Sequence, residues 1–190
     1  MTCISVQRME DNFGGREPLL SCQHILSFCQ HCLENGNHCH ITIESSLNVE
    51  LMEEVKDGFC VGKQAIKHAD RNKVNATDSK KLQGSLDIDS QVKMLYPHDP
   101  RWDYALSYDD KIYFFEVHPA ETSEVGKVIS KVKWLKNWLK TKAVKINELP
   151  KADHPYTWIQ SGRYAILPTA KEKMQLSVAG ITTANKLDLK

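Results

Sequence analysis

The chain has 190 residues, enough for one ordinary hydrophobic core with a small appendage. Its formal net charge of +1 gives no overall attraction to nucleic acid, so any such affinity must come from local clusters of charge. The sequence has no uncharged apolar run of about 18 residues, and its start lacks a basic segment followed by an apolar stretch. We therefore expect no membrane-spanning helix, no secretory signal and a cytoplasmic location.

The composition changes near residue 50, from an irregular leader rich in Cys and His to a segment with ordinary globular patterning. We expect residues 1–49 to form a separate N-terminal segment, which could be disordered, and residues 50–190 to form a single α/β domain. Five of the six cysteines precede residue 40, whereas a disulfide framework for the whole fold would spread them more evenly. A further hypothesis is that the biologically relevant product begins at Met52.

The leader contains a candidate zinc site. Cys29 and Cys32 are followed by His38 and Cys39, and two thiolates at that spacing with two later ligands could close a tetrahedral Zn²⁺ site. Known zinc fingers usually have a longer interval between their ligand pairs. Two cysteines three residues apart on a helix can also be small apolar packing residues. Both interpretations fit the sequence.

The first elements of the domain are weakly patterned. Residues 50–68 are compatible with a helix, although two glycines weaken it, and residues 70–85 are polar enough to form a loop. Residues 85–89 fit either a short strand or the cap of a following helix. We expect Asp87 and Asp89 either to cap that helix or to face solvent.

A β-hairpin is predicted in the middle of the domain. Residues 101–108 alternate between bulky apolar or aromatic side chains and polar or small ones, which is the period of a strand. Residues 112–117 form a second apolar run, and Asp109 and Asp110 lie in the short connection between the two. The two runs therefore predict a pair of antiparallel strands.

The second strand carries Glu116 in a setting that otherwise looks buried. A carboxylate among apolar neighbours is costly unless something pairs with it or binds it. Side chains two residues apart on a strand share a face, so Glu116 and His118 should point the same way. Pro119 should end the ladder.

A strongly amphipathic helix is predicted next, capped by Thr122 or Ser123. Its apolar residues follow helical spacing as far as Leu139, and its other flanks carry lysines beside Trp134 and Trp138. The lysines of this segment are Lys127, Lys131, Lys133, Lys136, Lys140, Lys142 and Lys145. Such a stripe is either a solvated face or a surface that binds nucleic acid.

Two further strands and a last helix complete the predicted domain. Residues 156–159 and 164–167 look like strands on either side of a turn, and a capping box that begins at Thr169 predicts a helix ending at Gly180. This order of elements predicts an α/β fold with a small mixed sheet flanked by helices.

The predicted hairpin carries two acids at a recognisable spacing. Asp103 is followed, after twelve residues, by Glu116-Val117-His118. Together with the helix directly after it, this pattern resembles the signature of the PD-(D/E)xK nuclease superfamily, also called restriction-endonuclease-like, over roughly residues 50–167. The resemblance implies that fold and a metal-dependent phosphodiesterase acting on nucleic acid. It also implies that Asp103, Glu116 and the Val117 carbonyl hold Mg²⁺ or Mn²⁺.

The residue types are suited to that chemistry. Two carboxylates and a carbonyl are the hard oxygen ligands that Mg²⁺ prefers, and such an ion can activate water and neutralise charge on a phosphate. His118 holds the position of the superfamily's usual lysine and could accept a proton near neutral pH. Lys127 or Lys131, one or two turns into the following helix, could supply the missing positive charge.

The same residues also allow structural interpretations. The role of Asp103 could be limited to an ion pair with Arg101 or with a helix lysine. Glu116 and His118 could be a hydrogen-bonded pair on a half-exposed sheet face. The domain would then be a non-catalytic module that binds nucleic acid or an acidic protein through its lysine-rich helix. A purely structural interaction domain is the third alternative.

Overall fold

The computed structural model describes residue 55, residues 58–166 and residues 171–190. Along these ranges the elements are β1 Phe59–Val61, β2 Val74–Ala76, β3 Leu82–Asp87, α1 Ile88–Val92, β4 Tyr104–Tyr108, β5 Lys111–Ala120, α2 Val125–Thr141, α3 Val144–Glu148, β6 Lys151–Tyr164, α4 Lys171–Ala179, β7 Ile181–Ala184 and β8 Leu187–Leu189. None of the helices in these ranges is long and apolar enough to cross a membrane, in agreement with the sequence analysis.

Six strands form one mixed sheet in the order β1-β3-β4-β5-β6-β7. Neighbours from β1 to β5 are antiparallel, whereas β5, β6 and β7 are parallel. Parallel neighbours need a crossover connection, and here α2 and α3 connect β5 to β6 while α4 lies between β6 and β7. β2 and β8 form a separate parallel pair. The expected mixed sheet with flanking helices is therefore confirmed.

The predicted hairpin is formed by β4 and β5. Asp109 and Asp110 connect the strands with φ angles of 50° and 60°, in the left-handed region that two-residue hairpin turns require. The prediction that Pro119 ends the ladder is wrong, because β5 continues to Ala120. Its pairing with β6 shifts register after His118, and such an irregularity is where a strand tolerates proline.

The amphipathic helix is α2, but its start and its outer face differ from the prediction. Residues Thr122–Glu124 form a 3-10 turn, and no side chain caps the α-helix that follows. Trp138 is only 2% exposed, so it does not lie on the outer flank with the lysines. It belongs to the main core, beside residues of α3 such as Ile146, because α3 packs against α2.

The sheet is buried on both faces. One core lies between the sheet and α2, and a second core covers the opposite face with residues of β2, β8 and the segment before β2. As a result every residue of β4 is buried, although the sequence alternates. The side chains of β4 therefore alternate between two cores. On β5, Glu116 is likewise buried, so it does not lie on a half-exposed sheet face.

The prediction for the start of the domain is wrong in its described part. Within residues 58–68 the chain forms β1 and turns rather than a helix, and Gly62 has a φ of 61° that an α-helix cannot continue through. Residues 70–85 contain β2 and most of β3 rather than a loop. The two alternatives for the next stretch are both realised, since β3 ends at Asp87 and α1 begins directly after it.

The last third of the domain contains a longer strand than predicted. β6 runs over 14 residues without the expected turn, because it pairs with β5 on one side and β7 on the other. The last helix ends at Gly180, as predicted, with a φ of 76°. Its proposed capping residue Thr169 lies outside the described residues. β7 and β8 were not predicted.

Candidate active site

Asp103 and Glu116 lie side by side where the β4–β5 hairpin opens. Asp103 directly precedes β4, and Glu116 follows the last residue of β5 that pairs with β4. The Asp103 N–H donates to Glu116 Oε2 at 3.1 Å, and the Val117 N–H donates to Asp103 Oδ2 at 3.0 Å. These reciprocal hydrogen bonds hold the two carboxylates together, so the structure places the two predicted acids at one site.

Lys131 of α2 contacts both acids. Its Nζ forms an ion pair with Glu116 Oε1 and lies 3.4 Å from Asp103 Oδ1. The Glu116 side chain is fully buried, whereas the side chains of Asp103 and Lys131 are 17% and 20% exposed. The acid–lysine triad, which consists of Asp103, Glu116 and Lys131, therefore reaches solvent on the side of Asp103 and Lys131.

The pKa values of all three triad residues are shifted, because each ionisable group is largely removed from water. Burial, and after it the Asp103 carboxylate, raise the pKa of Glu116 to about 8 against the opposing effect of Lys131. Burial also raises the pKa of Asp103, against the effect of Lys131. Burial lowers the pKa of Lys131, but Glu116 and Asp103 outweigh it and the net shift is upward. Added positive charge would therefore favour the ionised form of both acids.

The pairings settle most of the structural alternatives. Asp103 does pair with a helix lysine, as one alternative proposed. Arg101 instead pairs with Asp89 at 2.9 Å. Glu116 is not hydrogen-bonded to His118, so the proposed pair between these two residues is wrong.

His118 lies on the same side of β5 as Glu116, as predicted, and faces the start of α2. Its Nε2 is 2.6 Å from Glu124 Oε2, and Glu124 Oε1 accepts a hydrogen bond from Lys127 Nζ at 2.8 Å. Lys127, the other lysine predicted to act on the acids, therefore belongs to this second group and not to the triad. Hydrogen bonds from Lys127 and His118 lower the pKa of Glu124.

Glu124 was not among the residues predicted from the sequence. A weak signal was present, because an acid three residues before Lys127 can pair with it at the start of a helix. Its position next to His118 depends on how the 3-10 turn before α2 folds back toward β5, which sequence spacing does not specify.

A second pair of acids lies near the triad. Asp87 caps α1 by accepting from the Ser90 N–H at 2.9 Å, as the capping interpretation predicted. Lys67 Nζ is 3.6 Å from Asp87 and 3.8 Å from Asp89. The N–H of Asp89 also donates to the Asp103 carbonyl at 3.3 Å, so this cluster supports the backbone at Asp103.

The lysine-rich stripe of α2 is partly used inside the molecule. Lys131 and Lys127 have acidic partners, and Lys136 Nζ donates to the Ala179 carbonyl and lies 4.7 Å from the centre of the Tyr156 ring. Trp134 donates to Asp99. The exposed lysines that remain are Lys133, Lys140, Lys142 and Lys145.

The two carboxylates of the triad could contribute to holding a magnesium ion, but they do not form a complete protein cage for a metal. Within the described ranges, no three His, Cys, Asp or Glu side chains are grouped to hold a metal. Mg²⁺ is commonly held by one or two carboxylates together with waters and substrate phosphates. The Val117 carbonyl lies on the same edge of β5 as its N–H, which is bonded to Asp103. The candidate zinc ligands Cys29, Cys32, His38 and Cys39 all lie outside the described residues.

Comparisons with known proteins provide no relative for this site. No family model matches the chain, and neither the curated proteins nor the solved structures contain a match. The arguments about function therefore depend on the chain's own residues.

Proposed function

We propose that the domain is a metal-dependent phosphodiesterase that acts on nucleic acid and has a restriction-endonuclease-like fold. Asp103, Glu116 and the Val117 carbonyl would hold Mg²⁺ or Mn²⁺. The observation that carries the proposal is the position of Lys131, whose Nζ contacts both carboxylates from the neighbouring helix.

The arrangement of elements supports this proposal. The superfamily named above has an acid on one strand, an acid-x-lysine on the next strand of a hairpin, and a helix directly after it. Here the hairpin of β4 and β5, the helix α2 and the parallel strand β6 follow in that order. His118 stands where the lysine is usual, and Lys131 brings an ammonium group to the same two acids from α2.

The chain's own residues would have separate roles in binding the metal and in stabilising charge. Asp103 and Glu116 would bind the ion, which supplies a Lewis acid for the phosphate and for the attacking water. The Lys131 ammonium is on the solvent-facing side of the triad, where it could orient that water and stabilise negative charge that develops on the phosphate oxygens. The reciprocal hydrogen bonds between Asp103, Glu116 and Val117 would keep the carboxylates in place without further rearrangement.

The direct test is cleavage of labelled single-stranded and duplex DNA and RNA with Mg²⁺, with Mn²⁺ and with a chelator. We expect cleavage that needs the metal and that Asp103→Asn or Glu116→Gln each abolishes. Retained cleavage in either variant, or no cleavage of any substrate by the wild type, would overturn the proposal.

A matched pair of lysine variants tests the assignment of Lys131. Lys131→Met should lower the rate of cleavage by about 100-fold or more, because it removes a cation that acts on developing charge. Lys133→Met removes the same charge from an exposed position on the same helix. If both variants lose activity equally, the lysines act by general attraction of nucleic acid and Lys131 has no special role.

The competing function is a non-catalytic module that binds nucleic acid or an acidic protein. Its support is the set of four exposed lysines on α2, on α3 and between them, together with a triad in which Lys131 already balances the acids. Binding through lysine and phosphate weakens steeply with salt. A salt-dependent mobility shift that persists in Asp103→Asn, without cleavage by the wild type, would favour this function.

A further inference from the structure

The loop between α1 and β4, residues 93–103, exposes apolar side chains near the triad. Met94 and Leu95 are 88% and 57% exposed, although both are large and apolar. Next to them, Tyr96 is partly buried and packs against Trp134 of α2, with the ring centres 5.7 Å apart and the ring planes at 74°. The apolar patch, which consists of Met94, Leu95, Tyr96 and Trp134, has no role in the function proposed so far.

Helical spacing places this patch directly beside Lys131. Residues three or four positions apart lie on the same side of a helix, so Lys127, Lys131 and Trp134 follow one another along one side of α2. Lys131 contacts both acids of the triad. Trp134 is therefore the next side chain along this side of the helix from the proposed metal site.

Hydrogen bonds hold the loop in this position. Trp134 Nε1 donates to Asp99 Oδ2 at 3.1 Å, which ties the loop to α2. Arg101 donates to the Tyr96 carbonyl and so closes the loop on itself. The last residue of the loop is Asp103, so the exposed apolar side chains and one acid of the triad belong to a single anchored segment.

We propose that the apolar patch stacks against unpaired bases and that the substrate is single-stranded nucleic acid, an inference that rests on the proposed phosphodiesterase function. Every base has a flat face that can stack on aromatic side chains and that buries apolar surface. In a duplex these faces are covered by neighbouring bases, and inserting a side chain between them costs unstacking. A single strand presents its bases without that cost.

The charges around the patch fit the phosphates of such a strand. Lys127 remains exposed although it pairs with Glu124, and Lys93 is exposed directly before Met94. Single-strand sites combine cations along the backbone with rings that accept bases. A strand whose scissile phosphate lies at the triad therefore has a cation on one side along α2, at Lys127, and the apolar patch on the other.

The experiment measures binding in the presence of a chelator, so that the result does not depend on cleavage. A short labelled oligonucleotide is titrated as a single strand and as a duplex, at one salt concentration, with the wild type and with Met94→Ser/Leu95→Ser. Both replaced side chains are exposed, so the fold should persist. We expect the wild type to bind the single strand at least about 10-fold more tightly than the duplex, and the double variant to lose most of this preference.

A second set of substrates tests contact with the bases themselves. In each single strand one nucleotide lacks its base but keeps its phosphate, and the position of the missing base is moved along the strand. Loss of a base that stacks on the patch should weaken binding to the wild type by about 5- to 10-fold, and should have little effect on Met94→Ser/Leu95→Ser. Trp134→Leu should behave like the double variant, and its unfolding midpoint reports whether the fold persists.

A matched control removes similar side chains from another helix. Met174 and Val178 of α4 are also exposed, and Met174→Ser/Val178→Ser should bind single strand and duplex as the wild type does. Sedimentation of the wild type and of both double variants reports self-association. If the wild type forms a dimer that only Met94→Ser/Leu95→Ser abolishes, the patch is an interface between two copies and does not bind bases.

The remaining outcomes separate this inference from the function beneath it. If single strand and duplex bind equally and Met94→Ser/Leu95→Ser changes neither, the patch does not bind bases, whereas metal-dependent cleavage by the wild type would still support the phosphodiesterase. If single-strand binding depends on the patch but no substrate is cleaved with Mg²⁺ or Mn²⁺, the patch keeps its assignment and the phosphodiesterase is wrong.

Discussion

Lys131 and Glu116 lie in direct contact although 15 positions of the chain separate them. Glu116 is fully buried, and the ammonium group from α2 is its only ionic partner within the described residues. This contact connects the hairpin to the helix that follows it. The same two residues contribute to the stability of the domain and to its proposed chemistry.

Removing Lys131 should destabilise the fold. Lys131→Met would leave two neighbouring carboxylates without their cation, and breaking a buried ion pair from one side typically costs about 3 to 5 kcal/mol. Urea denaturation at about pH 9, above the pKa of about 8 of Glu116, should show this loss, whereas Lys133→Met should change the free energy of unfolding by less than about 0.5 kcal/mol. The double variant Glu116→Gln/Lys131→Met should lose less than the sum of the two single changes. Additive losses would contradict the contact.

The triad should give stability a characteristic dependence on pH. The pKa of Glu116 is about 8 in the folded protein, against 4.5 for the ordinary side chain, so the folded state binds an additional proton between these values. The stability that this group contributes is complete below about pH 4.5 and is lost as the pH rises through about 8. The raised pKa of Asp103 acts in the same direction.

This dependence can be measured by comparing the wild type with Glu116→Gln. We expect the free energy of unfolding of the wild type to fall between about pH 5 and about pH 8, and to fall less in the variant, which has no carboxyl group to titrate at this position. Urea denaturation across this range reports both slopes. Equal slopes would show that Glu116 ionises normally.

Binding of a divalent ion should release protons. Because Glu116 is largely protonated at pH 7, an ion that binds to it must displace a proton or bind more weakly. Titration calorimetry with Mg²⁺ or Mn²⁺, in buffers with different heats of ionisation, should show proton release near pH 7 and tighter binding near pH 8.5. Asp103→Asn should bind neither ion. Binding of equal strength at both pH values would place the ion elsewhere.

The close approach of β1 and β3 gives a prediction about the fold alone. A Cβ built on Gly84 would come within 2.1 Å of the Phe59 ring and 2.9 Å of the Cys60 carbonyl oxygen. Gly84→Ala should therefore displace β1 and destabilise the domain by about 1 to 3 kcal/mol. A Cβ built on Gly162 has no neighbouring atom within 4 Å, so Gly162→Ala should be close to neutral in the same urea titration. An unchanged Gly84→Ala variant would contradict the packing of Phe59.

The strongly periodic elements of this chain were predictable, and the weakly periodic ones were not. The hairpin and α2 have clear periods of two and 3.6 residues, so their type and approximate extent follow from local pattern. Of the two strands predicted here, residues 156–159 lie within β6, whereas residues 164–167 overlap it only at Tyr164, and Ala165 and Ile166 are not in a strand. Exposed polar residues interrupt the apolar pattern of β6, so its full length was not predicted. Its length depends on pairing with β5 and β7, which local pattern does not contain. β1, β2 and the first half of β3 were missed for the same reason.

Asp103 and Glu116 were predictable as a pair because both lie on one hairpin, and Glu116 and His118 because strand side chains two apart share a face. Their partners required the tertiary structure. Lys127 and Lys131 are one turn apart on the same side of α2, so helical spacing makes them equivalent candidates. The turn at Thr122–Glu124 sets the position of α2 along β5. In that position Lys131 contacts Glu116, and Glu124 contacts His118. Local periodicity thus determined which residues face the helix, whereas the packing of helix on sheet decided which charges meet there.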